Sequence, residues 1–339
     1  MRALIRVSSG TATVLGLIQT RVDARPTTAY LMAGERCAFT CGFCPQARDA
    51  SSPVELLSRV TWPEFEDSQV VETIARAYYG GSLQRVCIQV VHSPGAVERA
   101  ERVVRALAEE SRRCGAAVPV PVSISAHIAR AQEAIRLMDA GAERVGIPLD
   151  AATPEVYERV KGGSWNTAFR AIIESAAARP GRVSTHFIAG LGETEEELVR
   201  AIQVMRDAHV TVGLFAFTPV RGTALAGTTA PDLRSYRRVQ AAHYLISNGF
   251  SRSGLMRFES GRLVDYGVRP QRLLYLLEPG EPFRTSGCPF CNRPYYNERP
   301  GGVMYNYPRR LSPGEAAEAV AQATADILDR DPGVGAAAV

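Results

Sequence analysis

The chain has 339 residues, 46% of them hydrophobic and 22% charged, which suffices for a full buried core and excludes disordered and collagen-like classes. Its 39 basic and 35 acidic residues leave a net charge of only +4, and Lys161 is the sole lysine among the arginines, so nothing in the balance calls for nucleic acid. No run approaches the roughly 20 apolar residues of a membrane helix, and the N-terminus lacks the basic, apolar and small-residue order of a secretory signal, so a cytoplasmic protein with no membrane partner is expected.

In chain order, short β-rich runs alternate with helical patterns, the signature of βα units around a parallel sheet. Residues 1–27 are expected as an N-terminal helical extension. Strands are predicted over 28–34, 85–91, 118–125, 143–149, 182–189 and 210–217, with a weaker seventh over 254–259. Over 95–113 the residues Ala100, Val103, Val104, Leu107 and Ala108 make one apolar helical face. Thr194 with Glu197, and Ser312 with Pro313 and Glu315, mark two further helix starts, the second helix running to about residue 329. A flexible tail is expected over 331–339. With no fixed-period repeat and no low-complexity linker, the layout reads as one barrel-like α/β domain over 28–260, followed by a C-terminal segment over 261–330.

Five of the seven cysteines fall in two tight clusters, which in a cytoplasmic chain points to metal rather than disulfides. The first cluster, GERCAFTCGFCPQAR, puts Cys37, Cys41 and Cys44 at the spacing C-x3-C-x2-C on a loop after the first strand of the barrel. A structural zinc takes four protein ligands, whereas a [4Fe–4S] cluster held by three thiolates keeps one iron open for chemistry. This loop resembles the radical S-adenosylmethionine (SAM) superfamily, where the motif follows the first strand of a partial (β/α)6 TIM-like barrel and an aromatic, here Phe43, precedes the third cysteine. The resemblance implies that SAM binds the open iron and is cleaved to methionine and a 5′-deoxyadenosyl radical.

The same resemblance supplies further SAM contacts. HFIAGLGE at 186–193 is similar to the family's fifth-strand motif, with Ile188 for adenine and Glu193 nearby. Asp150, ending GIPLD, matches a ribose-binding aspartate of biotin-synthase-like enzymes, and Lys161 is placed to pair with the SAM carboxylate. Each has an ordinary counterpart: a strand ending in a glycine turn, a helix cap ahead of Thr153, and a solvated lysine.

The second cluster, TSGCPFCNRPYYNERPGG, holds Cys288 and Cys291 at C-x2-C. Two thiolates hold neither zinc nor a cubane well, so a further ligand is needed. Cys114 at a helix end looks spare. Cys87, on the second strand, resembles a ligand of the sulfur-donating cluster of biotin synthases, and Arg257 resembles the arginine ligand of that cluster. Yet Ser123 and Ser125 lie where a third-strand cysteine is missing, Ser184 replaces the fifth-strand one, Pro148 stands for an asparagine, and Phe215 falls near another. What fits is a barrel of that lineage whose second cluster has moved to the C-terminal segment, as in the two-protein lipoyl synthases that this motif resembles.

That resemblance implies sulfur insertion into an octanoyl chain on a lipoyl carrier domain or a glycine-cleavage H-type protein. It also implies an auxiliary [4Fe–4S] cluster as sulfur donor, a partner synthase half, and reduced ferredoxin or flavodoxin as electron source. Cys288 and Cys291 are expected to fold over the barrel mouth, with Ser286 or Arg257 as a further cluster or substrate contact. Arg284, Arg293, Tyr295, Tyr296 and Arg299 either line that lid, meet an acidic carrier or, as expected for most of them, belong to a hydrogen-bonded loop that packs on the barrel. His92 and His127 fall just past the second and third strands and face the site without being ligands. No Ser/His/Asp set and no Gly-rich phosphate loop is present, in keeping with chemistry carried by a cofactor. Two other readings stay open: a radical SAM mutase or lyase with a structural metal at C-x2-C, and a non-catalytic iron–sulfur delivery protein.

Overall fold

The computed structural model describes residues 4–325 and 327. In chain order its elements are β1 (Leu4–Val7), α1 (Ser9–Val14), β2 (Thr28–Ala33), β3 (Leu56–Leu57), β4 (Val60–Thr61), β5 (Glu64–Glu66), α2 (Asp67–Tyr79), β6 (Arg85–Val90), α3 (Ala96–Arg113), β7 (Val122–Ser125), α4 (Ala131–Asp139) and β8 (Arg144–Gly146). There follow α5 (Pro154–Val160), α6 (Trp165–Ala178), β9 (Val183–Ala189), α7 (Glu195–Asp207), β10 (Thr211–Ala216), α8 (Leu233–Ser247), β11 (Arg257–Glu259), β12 (Arg262–Asp265), α9 (Pro270–Leu277) and α10 (Pro313–Thr324).

Eight strands form one sheet in the order β10-β9-β8-β7-β6-β2-β1-β5. The six strands β2, β6, β7, β8, β9 and β10 run parallel, with helices between successive members, so the fold is the expected partial TIM-like barrel. Its strands alternate with period 2. Ala29, Leu31, Val86, Ile88, Val122, Ile124, Val145, Val183, Phe187, Val212 and Leu214 join the main core beneath the helices. The opposite face carries Tyr30, Met32, Cys87, Gln89, Ser123, Ser125, Gly146, Ser184, His186, Ile188 and Gly213, mostly small or polar residues, so the barrel interior holds few aliphatic side chains. α3 buries Ala100, Val103, Val104 and Leu107 as its periodicity requires, and both expected capping boxes form, at Thr194/Glu197 and Ser312/Glu315.

Several elements depart from expectation. The N-terminal extension is not simply helical, because in LIRV the alternation buries Ile5 and Val7 and turns Arg6 to Glu64, which makes β1 an antiparallel neighbour of β2 and β5. The strand expected from 118 starts only at Val122, since Pro119 and Pro121 lack the N–H a ladder needs, and Pro148 similarly lies past the short β8. The weak seventh strand is no barrel strand: Ser260 and Gly261 both have positive φ and turn β11 back on β12 as a separate two-residue hairpin. α10 ends at Thr324, and the expected tail lies outside the described residues.

Candidate active site

The Cys37–Cys44 loop leaves the C-terminal end of β2, where active sites of such barrels are built. Backbone bonds pin it: Cys37 N to Gln46 O at 3.0 Å, Ala38 N to His92 O at 2.8 Å, and Gly42 N to Val160 O at 2.7 Å. Its amides also serve the sulfurs, with Phe39 N donating to Cys37 Sγ at 3.4 Å and the backbone of Gln46 and Ala47 to Cys44. Burial pushes the Cys41 and Cys44 thiols up to about 12, so their thiolate forms require a cation to hold them. Among the described residues no three His, Cys, Asp or Glu side chains close on one metal ion. A cubane asks for something else, because each of its cysteines bonds a different iron.

One cavity joins this loop to the strand ends. It is lined by Cys37, Cys41 and Cys44, by Phe43, Asp150, Lys161, His186 and Ile188, and by Phe215, Arg293 and Tyr296. Asp150 is 4% exposed, with a φ of 66°, and is held to β9 by its N–H to His186 O and by its O from Ile188 N. Its carboxylate meets Lys161 Nζ at 2.7 Å and His186 Nε2 at 2.8 Å. Burial alone would raise its pKa, but Lys161, then His186, hold the carboxyl well below the usual range. Neither ordinary alternative holds for this pair. Thr153, not Asp150, caps α5, and Lys161 is buried, its ammonium also donating to Pro148 O. His92 and His127 line the cavity and pack tilted against Phe39, at centroid distances of 4.6 and 4.5 Å.

Glu193 is not among the cavity-lining residues. Gly190, at a φ of 95°, turns the chain so that the Glu193 carboxylate accepts from Gly190 N at 2.6 Å and Leu191 N at 3.1 Å, which makes it a clamp on its own turn. Arg257 lies on the β11–β12 hairpin, with 54% of its side chain exposed and paired to Glu259, so it meets no cysteine. Ser286 accepts from Leu214 N at 2.9 Å and fastens the C-terminal segment to β10. Arg284 pairs with Glu281, Tyr295 bonds Asp23, and only Arg293 and Tyr296 of the expected lid residues reach the cavity.

Cys288 and Cys291 do not fold over the mouth. Asn292 accepts from Thr27 N at 3.0 Å and donates to Arg25 O at 2.9 Å, while Pro289 O accepts from Arg85. These bonds draw the C-x2-C turn in at the start of β2 and β6, on the barrel's open side, and the chain then climbs to Asn297, whose amide donates to Ala216 O. Cys288 Sγ lies 3.8 Å from Ser123 Oγ and 3.9 Å from Ser184 Oγ, and Cys291 Sγ lies 3.4 Å from the Tyr30 hydroxyl. Cys87 faces the same space, close enough for Cys288 and Cys291 to act on its charge; burial pushes its thiol to about 12. Cys114 is exposed and apart.

A model of the radical SAM superfamily matches residues 32–205, slightly more than half of the chain. The chain belongs to the radical SAM superfamily. A biotin synthase from Magnetococcus marinus is 28% identical over 171 residues, which is 50% of each chain. A GTP 3′,8-cyclase from Limosilactobacillus fermentum is 30% identical over 91 residues, 26% of this chain and 27% of that one. The chain thus spans about half the length, or less, of these curated relatives. Among solved structures, HydG, a maturase of the [FeFe]-hydrogenase, superposes with a TM-score of 0.51 at 10% identity, over 65% of this chain and 50% of that one, a likeness of fold. Membership of this enzyme superfamily implies a [4Fe–4S] cluster and SAM, and the three-cysteine loop with its amide-served sulfurs suits that cluster. No helix among the described residues is long and apolar enough to cross a membrane.

His186 was invisible as a site residue from motif alone. It sits two residues from Ser184 and from Ile188 on β9, and that period-2 step was the available signal.

Proposed function

We propose that the protein is a radical SAM sulfur-insertion enzyme, acting on an octanoyl chain carried by a lipoyl domain or H-type protein, alone or with a partner synthase half. The observation that carries this reading is the meeting of Cys87, Cys288 and Cys291 inside the barrel, beneath the cavity walled by Cys37, Cys41 and Cys44. Ser123, Ser184 and Gly146 keep the strands facing these cysteines small, which supports a second thiolate-held cluster there. When bound, the first cluster with SAM supplies a carbon-centred radical and the second supplies sulfur.

The chain's own residues position and exclude. Asp150, fixed by Lys161 and His186, offers a carboxylate to the ribose of SAM, and Ile188 offers an apolar face to its base. Leu57, Val91, Phe217 and Val220 give the cavity an apolar wall suited to an alkyl chain and unsuited to water. The segment from Arg293 to Asn297 closes the open side between β10 and β2, which keeps solvent from a reactive carbon. Reduced ferredoxin or flavodoxin is the electron source of this proposal.

The test is iron and sulfide analysis with Mössbauer spectroscopy on anaerobically reconstituted wild type and a Cys288→Ala/Cys291→Ala variant, each assayed for 5′-deoxyadenosine and for thiolated octanoyl carrier. About eight irons in the wild type and about four in the variant, with SAM cleavage kept and thiolation lost, support the reading. A single cluster in both proteins overturns it.

A further inference from the structure

Around the lower cysteines the barrel interior is cationic. Arg85 is 3% exposed and extends from β6, with one NH2 group on Ser123 Oγ at 2.6 Å and on Glu143. Arg144 crosses from β8 to Thr211 Oγ1 on β10 at 2.8 Å. Arg293 enters from the C-terminal segment, its backbone N donating to the Tyr30 hydroxyl at 2.8 Å. Its guanidinium is sandwiched between the rings of Phe215 and Tyr296, at 4.4 and 4.6 Å from their centroids. In all three arginines the Nε is buried without a hydrogen-bond partner.

Arg85 is buried and Arg144 and Arg293 are half-buried, and a guanidinium, charged at any working pH, gains from an anion beside it in such surroundings. Among the described residues Glu143, on Arg85, is the only carboxylate paired with the three. Arg85 and Arg293 both lie close enough to Cys87 and Cys291 for their charges to act on those sulfurs. Arg293 also lines the upper cavity, which the lower cysteines do not, and so reaches from one site to the other.

We propose that Arg85, Arg144 and Arg293 form a cationic cage for an anionic, thiolate-held iron–sulfur group, and that Arg293, which reaches both sites, is the residue that positions that group beneath the upper cavity. This rests on the sulfur-insertion reading and adds to it the residues that set the group's charge balance. A nearby cation stabilises the reduced, more negative state of such a group, so the cage raises its reduction potential and holds it in place.

The experiment compares reconstituted wild type with Arg293→Met, Arg293→Lys and Arg144→Met by an EPR-monitored redox titration and by iron release to a chelator. The three-cysteine cluster of the same sample is the reference, and the Cys288→Ala/Cys291→Ala variant identifies its signal. Expected for Arg293→Met is a lower-cluster potential shifted negative and iron release from that cluster about tenfold faster, the usual scale of losing a partner around a metal site. Arg293→Lys restores most of both, and Arg144→Met shifts both in the same direction by less. Unchanged potentials and release rates in Arg293→Met and Arg144→Met overturn the cage, as does an equal shift of both clusters. Wild type with only about four irons overturns the sulfur-insertion reading itself and is told apart by that protein alone.

Discussion

The two cysteine sites of this barrel are built in opposite ways. Cys37, Cys41 and Cys44 share one loop, whose bonds to Gln46, His92 and Val160 shape it at the end of a single strand. Cys87, Cys288 and Cys291 are brought together from β6 and from a segment about 200 residues later, and their approach depends on Asn292, Arg85 and Tyr30. The upper site is therefore a property of local chain geometry, and the lower one of how the C-terminal segment docks on the barrel's open side. The difference teaches that the two sites fail for different reasons.

The largest expected effect tests the first half of that contrast. Cys41→Ala removes one of three ligands from a loop with no spare thiol, so 5′-deoxyadenosine formation is expected to fall to the protein-free background. On the sulfur-insertion reading the lower site, sharing no ligand with the loop, is expected to keep about four irons per chain. Iron analysis beside a SAM-cleavage assay checks both. Loss of all iron in this variant would show that the lower site is not assembled independently.

The same division explains what could be read in the residues alone. Six barrel strands and the three-cysteine loop were legible because alternation and ligand spacing are local signals. Lys161 and Asp150 were legible as candidates through resemblance, but their pairing was not, since it forms across 11 residues and a left-handed φ at Asp150. The place of Cys288 was unreadable for a related reason. Its turn is aimed by Asn292 on Thr27 and Arg25, contacts more than 260 residues apart, and no periodicity encodes them. Arg257 misled because the Ser260–Gly261 turn folds its strand away from the barrel, whereas Arg293, at a φ of 33°, points into it.

A second, smaller effect asks whether both sites stand on one scaffold. His243 is buried on α8, and burial pulls its imidazole down from 6.5 to about 4 against a weaker opposing bond to the Val212 backbone. Between those values the unfolded chain binds a proton that the native one does not, so stability rises with pH across the window. It is complete above 6.5 and is lost as pH falls toward 4. One such group accounts for about 3 kcal/mol over the full window. Urea unfolding at pH 7 and pH 5 should show the drop, and His243→Gln should flatten it. If the scaffold is shared, iron–sulfur absorbance from the three-cysteine loop, and from the lower cysteines on the sulfur-insertion reading, disappears in the same transition.

The smallest effect is the sharpest on the lower site. Asn292 is buried and spends three hydrogen bonds on Thr27 N, Arg25 O and Pro308 O, none of which has a substitute donor or acceptor in an alanine side chain. Asn292→Ala leaves those backbone groups unsatisfied at a cost of about 2 kcal/mol, measurable as a lowered urea midpoint. Because the residue follows Cys291 directly, the loss falls on the docking of the C-x2-C turn, while the loop at Cys37–Cys44, fixed by its own backbone bonds, is untouched. Iron retained after chelator challenge should therefore drop toward the content of the upper site alone, with SAM cleavage preserved. Equal loss from both sites would mean that the C-terminal segment supports the whole barrel mouth, and the contrast between a local site and a docked one would have to be abandoned.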